Sequence, residues 1–263
     1  MQEFRDTLRQ LYREGFVPGP RENFEEFLNR VLKTKDFLKN PEHFLKSRGI
    51  FPIQIYFITP YYFGFLSARD PPFWCGATTI IFEEEEGDIP VLHFSKRYFY
   101  HPSLFYDFVE HEKVHFLRAL FSEPHFEEIL AYRTSRSKWR KWIGPIFQNY
   151  RETYFYIFAC FGNCILPWIL PERFIIGYVI FFFSSLLYLF LRLCVKQAIF
   201  HQSLTFLKKK YENGEEIIRL LTDREIIYAA FRQFHKIVKT SVRWQLIQEI
   251  ALTTRENGVM GKL

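Results

Sequence analysis

Two histidines four residues apart, with a glutamate beside the first, stand out for their chemistry: His111-Glu112-Lys113-Val114-His115. On an α-helix, positions i and i+4 share a face, so both imidazoles can converge on one metal ion. Zinc held by two imidazoles takes a third protein ligand and keeps one position for water. Glu112 lies within reach of that water and has the chemistry of a general base. The implied reaction is hydrolysis of a peptide bond, with Glu112 moving the proton.

The third ligand must come from elsewhere. A metzincin would carry Gly at 118 and His at 121, where this chain has Arg118 and Phe121. A thermolysin-like spacing would place Glu near position 134, which is Thr134. The acids that remain nearby are Glu123, Glu127 and Glu128, with His125 as a nitrogen alternative. The segment Glu128-Ile129-Leu130-Ala131-Tyr132 resembles the E-x-x-A-D helix of the membrane-bound HtpX/Ste24 zinc proteases, which also combine H-E-x-x-H with transmembrane helices and a cytoplasmic active site. The resemblance is confined to residues 107–132 and the neighbouring apolar stretch. Tyr132 stands where that family has Asp, and here the segment precedes the apolar stretch. The resemblance implies Zn²⁺ as cofactor, a peptide or protein substrate, Glu128 as the ligand and Glu127 as runner-up. Tyr132 lies one turn past Glu128, where a phenol can donate to an oxyanion, so it joins Glu112 as a catalytic candidate.

Two other readings stay open. Glu112-Lys113-Val114-His115 is also an E-x-x-H, the half-motif of di-iron carboxylate bundles, though those need two copies and the chain has one. An accidental or degenerate H-E-x-x-H in a non-catalytic membrane protein is the other.

The elements that must position these residues fall into four stretches. Residues 1–50 read as two or three amphipathic helices, broken at Pro18-Gly19-Pro20 and at Asn40-Pro41. The N-terminus lacks a basic stretch followed by an apolar core, so it does not read as a signal peptide. Residues 51–150 read as the catalytic core. Its aromatic stretch 51–68 alternates weakly, carries Pro60 and reads as extended strand. Ala77–Glu85 and Ile89–Lys96 form an expected β-hairpin turning at Gly87-Asp88, with Glu83–Glu86 as a solvated strand end. A helix over Leu104–Phe121, with Ser103 as N-cap, carries the motif. Ser122-Glu123-Pro124 breaks it, and a second helix from about His125 to Trp139 carries the third ligand. The fold class expected is α+β with a zincin-like core.

Residues 151–195 hold two charge-free runs of 18 residues, Thr153–Leu170 and Phe174–Leu191, separated by Pro171-Glu172-Arg173. Each would be about 27 Å long as helix, near the thickness of a bilayer core. They read as a transmembrane helical hairpin, with Gly162, Asn163 and Pro167 weakening the first span. Residues 133–152 carry six Lys/Arg and residues 192–210 carry five, against Arg173 alone in the turn. By the positive-inside rule both ends, and so the metal site, face the cytoplasm. Trp139, Trp142 and Tyr150 fit an interfacial belt, and membrane lipid is an expected partner.

Residues 196–263 read as a helical C-terminal region, divided at Asn213-Gly214. Thr222-Asp223-Arg224-Glu225 is a capping box expected to open a helix through Phe234, and Val242–Leu252 reads as a further helix. Aromatics make up 20% of the chain, which excludes disorder. A net charge of +6, spread over both signs, argues against a nucleic-acid partner. The four cysteines, Cys75, Cys160, Cys164 and Cys194, form no C-x-x-C pair and read as buried free thiols.

Overall fold

The computed structural model describes all residues except 1, 60–61, 72–75, 83–88, 100, 170, 238 and 261–263. Cys75, the Glu83–Glu86 run and the Gly87-Asp88 turn therefore lie outside the described residues. The chain begins with helices α1 (Gln2–Arg13), α2 (Phe24–Phe37) and α3 (Pro41–Ser47). Asn23 caps α2 in a full capping box with Glu26, and Asn40 accepts the His43 N–H with Pro41 opening α3.

A four-stranded sheet follows, in the order β1-β2-β4-β3. The stretch read as extended strand forms two strands, β1 (Pro52–Thr59) and β2 (Tyr62–Ser67), paired antiparallel with Thr59 opposite Tyr62. The aromatic and apolar character runs on past Thr59-Pro60, and no Asn-Gly or Asp-Gly marks the reversal. The expected hairpin is present: β3 (Ala77–Phe82) pairs antiparallel with β4 (Ile89–Phe94). β4 also runs parallel to β2, leaving β3 as an edge. The two-residue period sends side chains to opposite faces. Phe63, Phe65 and Val91 pack with Phe44 and Leu45 of α3, whereas Leu66, Leu92 and Phe94 pack with Val109 of the motif helix.

After the one-turn α4 (Lys96–Phe99), the motif helix α5 spans Pro102–Leu117. Its cap is His101 rather than Ser103, because Pro102 takes the first helical position, where a missing N–H costs nothing. It stops at Leu117, short of Phe121. Arg118 leaves the helix with its buried guanidinium bound to the carbonyls of Arg219 and Leu221. The expected helix 125–139 is two helices, α6 (Glu127–Tyr132) and α7 (Lys138–Ile143). Between them Ser135 donates to Asp107 and Ser137 accepts the Arg140 N–H, local bonds that compete with a continuous helix.

The first apolar run forms α8 (Tyr150–Ile169), in which the side chains of Asn163 and Pro167 are outside the described set. The second opens α9 (Glu172–Lys210), 39 residues or about 58 Å long. The two helices are antiparallel neighbours. The Tyr178 hydroxyl donates to the Ala159 carbonyl, and Arg192 forks onto Glu152. The first half of α9 exposes Phe174, Ile176, Ile180, Phe181 and Phe183, while its second half buries Leu193, Phe200, Leu204 and Leu207. The apolar stretch thus continues into the C-terminal region as one helix. Among the described residues one helix, Phe174–Lys210, is long and apolar enough to cross a membrane, and only 11% of its most apolar stretch is buried. Cys160, Cys164 and Cys194 are free and exposed rather than buried, because they sit on these apolar outer faces.

The rest is helical: α10 (Gly214–Arg219), α11 (Asp223–Ala230) and α12 (Val242–Met260). The Thr222–Glu225 capping box opens α11 as expected. The helix ends at Ala230, before Phe234, with Arg232 left-handed at φ +57° and the Gln233 N–H reaching back to the Tyr228 carbonyl. One apolar core joins Leu8, Phe27, Val114, Ile129, Leu204, Leu221 and Trp244, so the N-terminal and C-terminal helices pack around α5 and α6.

Candidate metal centre

Helix periodicity places His111 and His115 one turn apart on α5, and their Nε2 atoms lie 3.2 Å from each other. Glu128, from the first turn of α6, completes the group: its carboxylate oxygens lie 3.7 Å from His111 Nε2 and 3.6 Å from His115 Nε2. Four ligands about 2.05 Å from a tetrahedral zinc are separated by about 3.3 Å. The two nitrogens match that spacing, and each lies within a few tenths of an ångström of it from one of the Glu128 oxygens.

The neighbouring carboxylate meets the other side of the ring. Glu127 Oε1 lies 2.8 Å from His115 Nδ1. A proton on Nδ1 donated to Glu127 leaves Nε2 as the lone-pair donor, the arrangement in which an outer carboxylate orients a metal-bound imidazole. Glu127 is thus placed to orient the His115 ring, whereas Glu128 could offer an oxygen to a metal held by the two Nε2 atoms. Of the other candidates, Glu123 accepts the Asp223 N–H and His125 Nδ1 contacts Lys196, so the structure brings neither into this group.

Glu112 is buried, and the Thr79 hydroxyl donates to its Oε2 at 2.7 Å. Thr79 belongs to the edge strand β3, so one carboxylate oxygen is held by the sheet while the other is left for chemistry. Tyr132 places its ring edge-on to His111 at 4.5 Å. A Cβ on Gly144 would come 2.3 Å from the Tyr132 ring, so only glycine lets the following turn close over it. Arg140 reaches the same cleft, 3.3 Å from Asp107 and over the ring of Phe108.

Two long-range anchors position the ligand helix. Asp223, at the start of α11, accepts the N–H groups of His125 and Phe126 at 2.8 and 3.2 Å, directly before Glu127. Arg118 ties the end of α5 to the same α10–α11 connection. Together they set how α6 lies against α5.

The electrostatics suit metal ligation. Burial, with His115 and Arg140 nearby, holds the His111 imidazolium well below its ordinary range. His115 goes the other way: burial opposes its charge, but Glu127, Glu128 and Glu112 outweigh it and push it up to about 9. Burial and the adjoining Glu112 and Glu127 raise Glu128 to about 7. Without metal, this acid-rich pocket holds protons that a divalent cation would displace.

The group opens into a cleft of about 500 Å³. One wall is β3, with Ala77, Thr79 and Ile81, and the far end is formed by Phe147, Asn149 and Thr153, where α8 begins. Comparison of the chain with family models, curated proteins and solved structures finds no match. Thr79, Arg140 and Asp223 carried no signal in the sequence. The orienting position of Glu127 could have been suspected only from its adjacency to Glu128.

Proposed function

We propose that this chain is a membrane-anchored zinc metallopeptidase that hydrolyses peptide bonds at the cytoplasmic membrane surface. The observation that carries the reading is the convergence of His111, His115 and Glu128 beside a buried Glu112, in a cleft walled by an edge strand. Zinc held there would lower the pKa of water toward about 7 and polarise the substrate carbonyl. Glu112 takes the proton of the attacking water through its free oxygen and returns it to the leaving amine. Thr79 holds the other oxygen so that the base faces the reacting atoms. The open side of β3 offers backbone donors and acceptors to an extended peptide, which fixes the scissile bond over the ligands. Tyr132 is the candidate donor to the developing oxyanion.

The membrane reading is supported by the exposed apolar faces of α8 and α9 and by the Lys/Arg that flank them. Asn149 and Thr153 line the cleft where the apolar run begins, which favours substrates held near the bilayer.

Glu112→Gln tests the mechanism: the amide cannot act as base, while the imidazoles are untouched. Zinc content is expected to stay at the wild-type level while hydrolysis of an unfolded polypeptide stops. Unchanged turnover refutes the mechanism. Two imidazoles and a carboxylate also bind non-haem iron, so metal analysis of the purified protein separates the two chemistries. For topology, a cysteine at position 172 should react with an impermeant reagent from outside intact cells, and one at position 136 should not. Outside labelling at position 136 reverses the orientation.

A further inference from the structure

Beside the residues that precede α6, a groove of about 430 Å³ runs between α9 and the pair Phe126 and Ile227. Its α9 wall is Tyr188, Leu191 and Val195, which are 64%, 55% and 59% exposed. Arg192, Lys196 and His125 stand along the same groove. Arg192 already has its counter-ion, forking onto Glu152 at 2.7 and 2.9 Å. Lys196 has no carboxylate in contact among the described residues: its Nζ lies 3.5 Å from His125 Nδ1, and Asp223 and Glu152 act on it only from a longer distance. The acid facing it from α11, Asp223, is turned to the backbone N–H groups of His125 and Phe126.

An apolar trough with an ammonium that no carboxylate contacts fits an amphiphile with a negative head. The position selects which one. Tyr188 to Lys196 straddles the point where α9 leaves its charge-free run at Leu191, which is the bilayer interface if the helix crosses. Basic pockets at the cytoplasmic ends of membrane helices bind acidic lipid headgroups. We propose that this groove binds one anionic phospholipid, with an acyl chain along Tyr188, Leu191 and Val195 and the phosphate at Lys196 and His125. Phe126 and Ile227 form its back wall from the helical core, so the groove lies where α9 meets that core. Phe126 directly precedes Glu127 and Glu128, so the lipid would contact the segment that presents the candidate ligand.

The inference rests on the membrane reading, and its test keeps the two apart. The full chain in neutral detergent is titrated with dioctanoyl phosphatidylglycerol and dioctanoyl phosphatidylcholine. The anionic lipid is expected to bind about fivefold tighter, the contribution of one lysine near a charged surface. Lys196→Gln should abolish that preference and Lys196→Arg should keep it, while Val195→Glu should weaken both lipids. Equal binding of the two lipids by the wild-type chain overturns the proposal, as does a preference that survives Lys196→Gln. Displacement by inorganic phosphate at the same concentration overturns it in favour of a free-phosphate site. A chain that is monodisperse without detergent sinks the membrane reading and the lipid site with it.

Discussion

Removing Glu127 or Glu128 separately distinguishes orientation from ligation. Glu128 faces both Nε2 atoms at 3.6–3.7 Å, a gap that a metal ion between them would fill. Glu127 instead contacts Nδ1 of His115 at 2.8 Å. Glu127→Ala therefore keeps all three donors and loses only the lock on one ring. Loss of such an outer carboxylate costs about 10- to 100-fold in metal affinity, or roughly 1.4 to 2.8 kcal/mol. Glu128→Ala leaves two imidazoles, so its loss should exceed the upper end of that range, more than about 100-fold. Competition with a chromogenic chelator near neutral pH, with metal content counted by mass spectrometry, measures both. Equal losses would leave the division of roles without support, and a larger loss at Glu127 would reverse it. Full zinc retention in both variants would move the third ligand to another residue altogether.

Three further outcomes follow from the same geometry. Thr79→Val keeps the side-chain shape but removes a charge-assisted hydrogen bond of roughly 1.5–3 kcal/mol, so kcat should fall about 10- to 150-fold at constant zinc content; Thr79→Ser should recover most of it, and an unaltered kcat in the valine variant removes Thr79 from the mechanism. Zinc ligation must displace the proton on His115, held up to about 9, and the partial proton on Glu128, held near about 7. Binding at neutral pH should therefore release roughly one to two protons, and affinity should rise with pH until His115 is neutral; calorimetry in buffers of different ionisation heat measures the release, and pH-independent affinity contradicts it. In the helical core, burial raises the Glu225 carboxyl, but hydrogen bonds from Arg243, Thr222 and Trp244 override this and hold it below its ordinary value. A lowered folded-state pKa adds stability that is full above the unfolded value of about 4.3 and is lost as pH falls below it through the lower folded-state pKa. Glu225→Ala would strand buried Arg243 and cost about 3–5 kcal/mol in urea unfolding; a loss below about 1 kcal/mol shows that the pair does not matter.

What could be read in the sequence was what acts over a few residues. The i, i+4 spacing alone put His111 and His115 on one helical face, because helix geometry is local. The Thr222–Glu225 capping box and the β3–β4 hairpin were legible for the same reason: their partners are near in the chain. Local rules also erred where a distant partner intervened. The motif helix stops at Leu117 because Arg118 is drawn to carbonyls about a hundred residues away. The stretch 51–68 folds back on itself although aromatic and apolar residues continue on both sides of Pro60.

The division between Glu127 and Glu128 was beyond the sequence. Adjacent residues on a short helix differ by 100° of rotation, and which of them meets Nε2 depends on how α6 crosses α5. That crossing is set by Asp223 and Arg118, through hydrogen bonds spanning 97 to 103 residues. Thr79 reaches Glu112 across 33 residues and only because β3 is the edge strand beside α5. Periodicity tells each element which face to bury, but not which residue of another element will lie against it. The sequence alone determined the residue types that could do chemistry and the helix that holds two of them. The packing of α6, β3 and α11 around that helix decided which partners each would have.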